Sequence, residues 1–362
     1  MFGGLCSAAY ALPPTPEGVG FRAVTTVTPH RPGDRRSVEP AVFLSAAAGQ
    51  WGMESLNRMA TELVDEAIDF ADELAIEVHS LSGDAAVLDF GVDMPGGIEP
   101  GLLLAEIQTG GLATLGTQLR TVAGTPRTHV ECSTDQPALA LLCAGKAGWE
   151  VSAGGFEALG SGPARALVAE EAIFERINYR DDFDFAVLAL ETDRLPDEQV
   201  VRQVAERAGV PESGVFLPSY ATASVTGSVV AASRAAELAT FRLSELGYDP
   251  LNVLSVTGSA PVPPVAGDEP GALALTNDAL AYGGRVHLTV DQPFDRFDEL
   301  VSTAPAEYGV PFADIFDQVD RQYDALSPAL FGPAQVTVDV VGGDTHVVGD
   351  TDEELLATSF GL

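Results

Sequence analysis

One nearly uncharged run, residues 213–241, constrains the fold more than any other part of the chain. It reads SGVFLPSYATASVTGSVVAASRAAELATF and contains only two charged residues, Arg234 and Glu237. A run of small, mostly neutral residues is typical of elements packed inside a protein. We therefore predict a short strand over 215–217 and one long buried helix over about 226–246.

The two charges of this run are three positions apart, so on a helix their side chains share a face. Arg234 and Glu237 fit two interpretations. One is a buried structural ion pair, whose attraction roughly offsets the cost of desolvation. The other is a catalytic carboxylate held by a guanidinium in a cleft. The small neighbours fit both, because they let another backbone or a flat ligand approach closely.

The remainder of the chain is strongly acidic. Asp and Glu number 53 against 19 Lys and Arg, a net charge of −34, yet 46% of the residues are hydrophobic. The charge argues against nucleic-acid binding, and the hydrophobic content argues against disorder. No apolar run approaches the ~20 residues of a membrane-spanning helix, so we expect no membrane association. Surface carboxylates in a chain with a large core predict a salt-loving host with a molar-salt cytoplasm.

Lysine is almost absent: the chain has 18 arginines and a single lysine, Lys146. It lies near the end of a helix that we predict over 135–149, with Asp135 as N-cap and Pro137 in the first turn. The lysine could neutralise the terminal carbonyls of that helix. It could equally reach into a pocket as a hydrogen-bond donor, and the residues leave both roles open.

The segment GSGPARAL, residues 160–167, is a second candidate site. Ser161 and Gly162 precede a helix start, where backbone N–H groups suit an anion or a polar ligand edge, and Arg165 lies beside them. Arg165 occupies the last glycine position of a dinucleotide fingerprint, and no P-loop GK[ST] is present. A tight structural turn is the alternative.

A third candidate is the pair Asn277 and Asp278, which could cap a helix or present an amide and a carboxylate to a heterocycle. Histidines and cysteines show no metal-binding spacing, so we expect no metal. The cysteines are three: Cys6, Cys132 and Cys143.

Residues 1–52 differ from the rest, with four arginines, three acidic residues and no persistent periodicity. We expect these residues to be a poorly ordered leader, present because the start of the chain was assigned too early.

An amphipathic helix then begins near Met53. Strand patterns over 75–81, 85–91 and 185–191 alternate with helical patterns, which predicts a mixed α/β fold. A boundary between two subdomains is expected near 160–180. The apolar positions of the first helix are Leu56, Met59, Leu63, Ala67 and Phe70.

Several segments, in this order, resemble the methenyl-tetrahydromethanopterin cyclohydrolase family, and the resemblance covers about residues 53–362. They are LDFGVDMPGG (88–97), CAGKAGWEVS (143–152), ALGSGPARAL (158–167), FDFAVLALETDRLPDE (183–198), TASVTGSV (222–229), TNDA with YGGR (276–285), YGVPFADIF (308–316), FGPAQV (331–336) and SFGL (359–362).

The resemblance implies a cytoplasmic enzyme with two α/β domains, a pocket between them and a homotrimeric assembly. It implies no metal or cofactor. The reaction would be the reversible hydrolysis of a cyclic 5,10-methenyl-tetrahydropterin cation to the 5-formyl form. By the same resemblance, Glu237 and Arg234 would be catalytic and Lys146 would bind substrate. The GSGPARAL and TND segments would line the pterin cleft: Ser161, Gly162, Arg165, Asn277 and Asp278.

One departure from the family bears on the substrate. Gln136 stands where relatives usually carry His, which leaves the identity of the pterin open. Tetrahydrofolate is the alternative one-carbon carrier, and a non-catalytic reduced-pterin-binding protein is the alternative function. An oxidoreductase with a nicotinamide cofactor is disfavoured, because the dinucleotide fingerprint is incomplete.

Overall fold

A mixed α/β fold with two β-sheets is present, which confirms the predicted fold class. The predicted leader lies outside the described residues. The computed structural model describes residues 55–81, 83–302, 309–319, 326 and 330–362.

The first sheet has seven strands: β1 (Glu77–Ser80), β2 (Ala86–Gly91), β5 (Trp149–Ala153), β6 (Phe156–Ser161), β7 (Ala186–Val187), β8 (Ala189–Glu191) and β9 (Val215–Tyr220). Their spatial order is β1-β2-β9-β8-β6-β5, and β7 pairs with β9 next to β8. β9 runs parallel to β2, β7 and β8, and the outer pairs are antiparallel. The predicted strands over 75–81, 85–91 and 215–217 are confirmed here, and the segment predicted as one strand over 185–191 forms β7 and β8, which Leu188 separates.

The second sheet has six strands: β3 (Thr114–Val122), β4 (Thr125–Thr134), β10 (Val253–Pro261), β11 (Arg285–Val290), β12 (Gln335–Val340) and β13 (Thr345–Gly349). Their order is β13-β12-β11-β10-β4-β3, with only β11 and β12 parallel. Each sheet contains strands from before and after residues 160–180, and the domain boundary there stays a prediction.

The α-helices of the described residues are α1 (Leu56–Asp69), α2 (Ala71–Leu74), α3 (Ile98–Gln108), α4 (Ala164–Val168), α5 (Ala172–Ile177), α6 (Glu198–Ala208), α7 (Val225–Ser233), α8 (Ala235–Glu245), α9 (Glu269–Gly283), α10 (Phe312–Gln318) and α11 (Glu353–Phe360). A π-helix covers Ala138–Gly145.

The first helix begins where the sequence predicts, with Ser55 as its N-cap. The face it buries is rotated from the predicted one. Phe70 lies beyond the last helical residue and is 52% exposed, because the helix ends one position before it. The residues that α1 buries are Leu56, Asn57, Ala60, Val64 and Ala67.

Helices cover both faces of the first sheet. On one face, α1 and α3 bury Leu88 and Phe90 of β2. On the other, α6 covers Val87 of the same strand and Leu217 of β9. Alternate residues of one strand therefore enter two cores, as expected for a sheet with two covered faces.

The second sheet packs one face against α7 and α8. Ala232 and Leu243 of these helices share a core with Val256 and Leu288 of the sheet. Gly258 of β10 lies so close to α8 that a Cβ atom there would be 2.5 Å from the backbone nitrogen of Ala236. The small residues of this run thus allow two backbones to approach closely, which is one of the two uses that the sequence left open.

The predicted long helix over 226–246 is interrupted at Arg234, which separates α7 from α8. The Arg234 N–H donates to the carbonyl of Ala231, three residues back, at 3.1 Å. The hydroxyl of Ser233 donates to the carbonyl of Val230 at 2.7 Å. A serine that bonds a carbonyl of the preceding turn competes with the helix ladder and bends it. Arg234 and Glu237 consequently begin a new helix.

The loop that leads into α3 is built around Asp89, which is fully buried at the end of β2. Its carboxylate accepts four backbone N–H groups at 2.6–3.0 Å, those of Gly91, Val92, Asp93 and Met94. These hydrogen bonds hold the first part of the LDFGVDMPGG segment in a tight turn after Asp89.

Candidate functional site

A cleft lies where α3, the π-helix and the junction of α7 and α8 meet the edge of the second sheet. It encloses about 280 Å³, including space open to solvent. Its lining residues are Ala105, Gln108, Thr109, Leu115, Cys132, Leu141, Gly145, Ser233, Arg234 and Glu237.

Glu237 and Arg234 are the charged residues of this lining, and both are buried, 4% and 9% exposed. Nη1 of Arg234 lies 3.9 Å from Oε1 of Glu237. Glu237 is in the first turn of α8, where the N-terminal end of the helix dipole favours a carboxylate. The structure therefore brings the two residues of the predicted catalytic pair together in a cleft.

Lys146 directly follows the π-helix, so the predicted helix over 135–149 differs in type and extent. It begins after Pro137, without a side-chain N-cap from Asp135, and ends at Gly145. Single π-helical turns are rare and occur frequently at functional sites. Here the π-helix contributes Leu141 and Gly145 to the cleft lining, and a Cβ atom on Gly145 would lie 3.7 Å from Oε2 of Glu237.

The Lys146 side chain is 5% exposed, and its Nζ donates to Oε2 of Glu171 at 2.8 Å. The ammonium also lies 5.1 Å from the centre of the Phe241 ring. Burial lowers the pKa of Lys146, the nearby Arg165 charge lowers it further, and Glu171 and Glu237 oppose this decrease. The Nζ of Lys146 thus makes a tertiary contact with Glu171. Lys146 is not among the residues that line the cleft, and its contact with a substrate stays a prediction.

Arg165 is buried, with a side chain 1% exposed. Its Nε and Nη2 donate to Oε1 of Glu171 at 2.9 and 2.6 Å. Its Nη1 donates to three carbonyls at the end of the π-helix, those of Leu142, Cys143 and Ala144, at 3.2–3.3 Å. Arg165 is not among the residues that line the cleft, and its contact with a substrate stays a prediction.

Ser161 and Gly162 lie at the end of β6, close to the same group. Ser161 accepts a hydrogen bond from Nε2 of Gln108 at 2.8 Å, which connects it to the cleft lining. The Gly162 N–H donates to the carbonyl of Ala144 at 2.9 Å, and its φ of 114° suits glycine. The GSGPARAL turn therefore supports the π-helix, and its predicted ligand contacts remain predictions.

Asn277 and Asp278 lie within α9 and are not among the residues that line the cleft. Asp278 accepts the Phe312 N–H at 2.8 Å and the Ser359 hydroxyl at 2.5 Å. Burial raises the pKa of Asp278 to about 6, although both hydrogen bonds oppose the increase. Nδ2 of Asn277 donates to the carbonyl of Leu273. Their role in pterin binding stays a prediction.

Sequence reasoning missed Gln108 and Glu171. Gln108 ends an otherwise apolar helix segment, GLLLAEIQ, and a lone amide in such a position is the signal that could have found it. Glu171 is one of several carboxylates in VAEEAIFERI, and nothing local distinguishes it from Glu170.

No cluster of three or more His, Cys, Asp or Glu side chains suited to a metal ion occurs within the described ranges. Burial raises the pKa of the thiols of Cys132 and Cys143 to about 12. Among the same residues, no helix has the length and apolar content to cross a bilayer.

Comparison with known proteins agrees with the resemblance seen in the sequence. A family model described as Cyclohydrolase (MCH) matches residues 55–360. The chain belongs to this family. Proteins named methenyltetrahydromethanopterin cyclohydrolase from two strains of Halobacterium salinarum are 58% identical over 310 residues, 86% of this chain and 100% of each relative. A protein of the same name from Methanocella arvoryzae is 41% identical over 315 residues, 86% of this chain and 99% of that relative. The Halobacterium relatives agree with the expected salt-loving host.

Proposed function

We propose that the chain catalyses the reversible hydrolysis of a cyclic 5,10-methenyl-tetrahydropterin cation, of the tetrahydromethanopterin type, to the 5-formyl form. The observation that supports this proposal most strongly is the buried carboxylate of Glu237 in the cleft, next to Arg234, in a chain of the cyclohydrolase family. A buried carboxylate suits the positive charge of the methenyl group.

Water must be held against the methenyl carbon and must lose a proton as it attacks. Glu237 is the group that we assign to this step, as the general base. Arg234 would hold the carboxylate in one rotamer, so that its oxygen is aimed at the water. The C–O bond forms, the cation becomes a neutral carbinolamine, and the proton resides on Glu237.

The second step opens the ring. The carbinolamine O–H loses its proton as the C=O bond forms, and the C–N bond to the nitrogen that leaves is broken. That nitrogen gains a proton, so that one proton is released overall and the formyl group stays on N5. The negative charge of Glu237 acts on the Lys146 ammonium, and we assign to Lys146 a hydrogen bond to the departing nitrogen.

The chemistry of the substrate needs no metal, since its carbon is already part of an electrophilic amidinium and no Lewis acid is required to polarise it. We therefore propose a reaction with no metal or cofactor. We also propose that the protein is a homotrimer and that it works in the cytoplasm. Sedimentation in molar KCl would test the number of subunits.

A side-by-side assay of two methenyl carriers tests the reaction. The absorbance of methenyl-tetrahydromethanopterin should decay faster with the protein in molar KCl, and that of methenyl-tetrahydrofolate should not. Acceleration with the folate carrier alone would overturn the assignment of the carrier. Saturable binding without decay would support a non-catalytic pterin-binding protein instead.

A further inference from the structure

The surroundings of Lys146 carry one more inference. Four charged side chains face its ammonium: Arg165, Glu171, Glu237 and Glu245. Among them, Oε2 of Glu171 accepts a hydrogen bond from Nζ of Lys146 at 2.8 Å. An ammonium that is buried beside a guanidinium is costly unless a carboxylate compensates it. Glu171, which compensates the Lys146 charge, is 25 positions away in the sequence.

Glu171 divides its two oxygens between two cations. Oε2 accepts from Lys146, and Oε1 accepts from Nε and Nη2 of Arg165. Burial alone would raise the pKa of Glu171, but the charges and hydrogen bonds of Arg165 and Lys146 outweigh it, and the pKa is lowered. Glu171 is therefore held as an ionised carboxylate.

Arg165 is itself fixed by the π-helix that precedes Lys146. Its Nη1 donates to the three carbonyls at the end of the π-helix, so the guanidinium cannot turn without losing them. The result is a closed hydrogen-bond network that connects the π-helix to Arg165, Arg165 to Glu171, and Glu171 to Lys146. Gly148 adds to its tightness, because a Cβ there would lie 3.1 Å from both Glu171 oxygens.

We propose that Glu171 is a positioning residue, which fixes the Lys146 ammonium beside the end of the π-helix that lines the cleft and keeps it charged. This inference rests on the proposed function, in which Lys146 serves the departing nitrogen. Glu171 acts through Lys146, so it need not touch the substrate.

The single lysine makes a direct test possible. In a chain labelled with ¹³C-lysine, only Lys146 gives a lysine side-chain NMR signal. The titration of this signal with pH reports the protonation of Nζ, and no resonance assignment is needed. The matched control is Glu170→Gln, because Glu170 is the neighbouring carboxylate and pairs with Arg207 at the surface.

We expect the Lys146 titration midpoint to fall by about one pH unit or more in Glu171→Gln. We expect no shift in Glu170→Gln. The alkaline limb of kcat/KM should move to lower pH in Glu171→Gln alone. Glu171→Asp keeps the charge, so its titration midpoint should stay near that of the wild type while its kcat falls. This variant provides the test if Glu171→Gln does not fold.

Two failures are distinguishable. If Glu171→Gln folds and shows the wild-type midpoint and pH profile, the role of Glu171 is overturned while the proposed function stands. A Glu171→Asp midpoint as low as that of Glu171→Gln would also overturn it. If the wild type lacks turnover with either carrier, the proposed function fails, and with it the catalytic purpose of the Glu171–Lys146 pair.

Discussion

The contact between Gly258 and Ala236 links the packing of the second sheet to the position of Glu237. A Cβ atom at position 258 would lie 2.5 Å from the nitrogen of Ala236 and 2.9 Å from its Cα and Cβ. Carbon atoms in contact prefer ~3.5–4.0 Å, so β10 and α8 must separate by about 1 Å in Gly258→Ala. Overpacking of this kind costs about 1–3 kcal/mol.

Glu237 follows Ala236 directly, so the same displacement moves the proposed base. A shift of about 1 Å can lower the rate about 100-fold. We expect Gly258→Ala to lower the melting temperature by about 2–8 °C and kcat by about 10- to 100-fold, measured by calorimetry and by decay of the methenyl absorbance. Gly116→Ala is the matched control, since Gly116 lies in the same sheet and a Cβ there meets no atom within 4 Å.

A Gly258→Ala variant with the wild-type melting temperature would refute the packing argument. A lower melting temperature with unchanged kcat would refute the link from packing to Glu237. The control excludes a general effect of alanine on the sheet, because Gly116→Ala should match the wild type in both measurements.

Two further predictions concern buried carboxylates. In Asp89→Asn, one acceptor oxygen remains, and it serves only two of the four backbone N–H groups. We therefore expect the free energy of unfolding, measured in denaturant, to fall by about 3 kcal/mol. Asp89→Asn with wild-type stability would contradict that role. For Asp278, the raised native pKa, about 6, means that this group contributes stability at low pH which is lost as the pH rises through 6. Asp278→Asn removes this dependence, so its melting temperature relative to the wild type should increase from pH 4.5 to 7.5. A constant difference would show that Asp278 does not titrate there.

Local patterns were sufficient for much of the fold. Apolar runs predicted the strands of the first sheet around β2 and β9, because strands covered on both faces carry continuous hydrophobic residues. The break at Arg234 was not predictable, because it depends on which carbonyl the Ser233 hydroxyl bonds. The sequence predicts a helix here but not its π type, since α- and π-helices bury the same apolar residues.

The candidate site could be predicted only in part. Arg234 and Glu237 are three positions apart, so helical spacing alone placed them together, and the family resemblance supplied the catalytic role. The partner of Lys146 was not accessible to such reasoning, because Glu171 reaches it through tertiary packing. The same holds for the contact of Gly258 with Ala236.

The turnover of Glu237→Gln, measured beside Glu245→Gln, tests the central claim most directly. Glu245 forms an ion pair of the same spacing on the same helix, with 3.8 Å between Nη1 of Arg242 and its Oε2, and it is not part of the cleft lining. If Glu237 activates the water, kcat should fall by about 10²–10⁴ in Glu237→Gln, with the fold retained, and only slightly in Glu245→Gln. Equal turnover in the two variants, or loss of folding in Glu237→Gln alone, would contradict the role of Glu237 as the base.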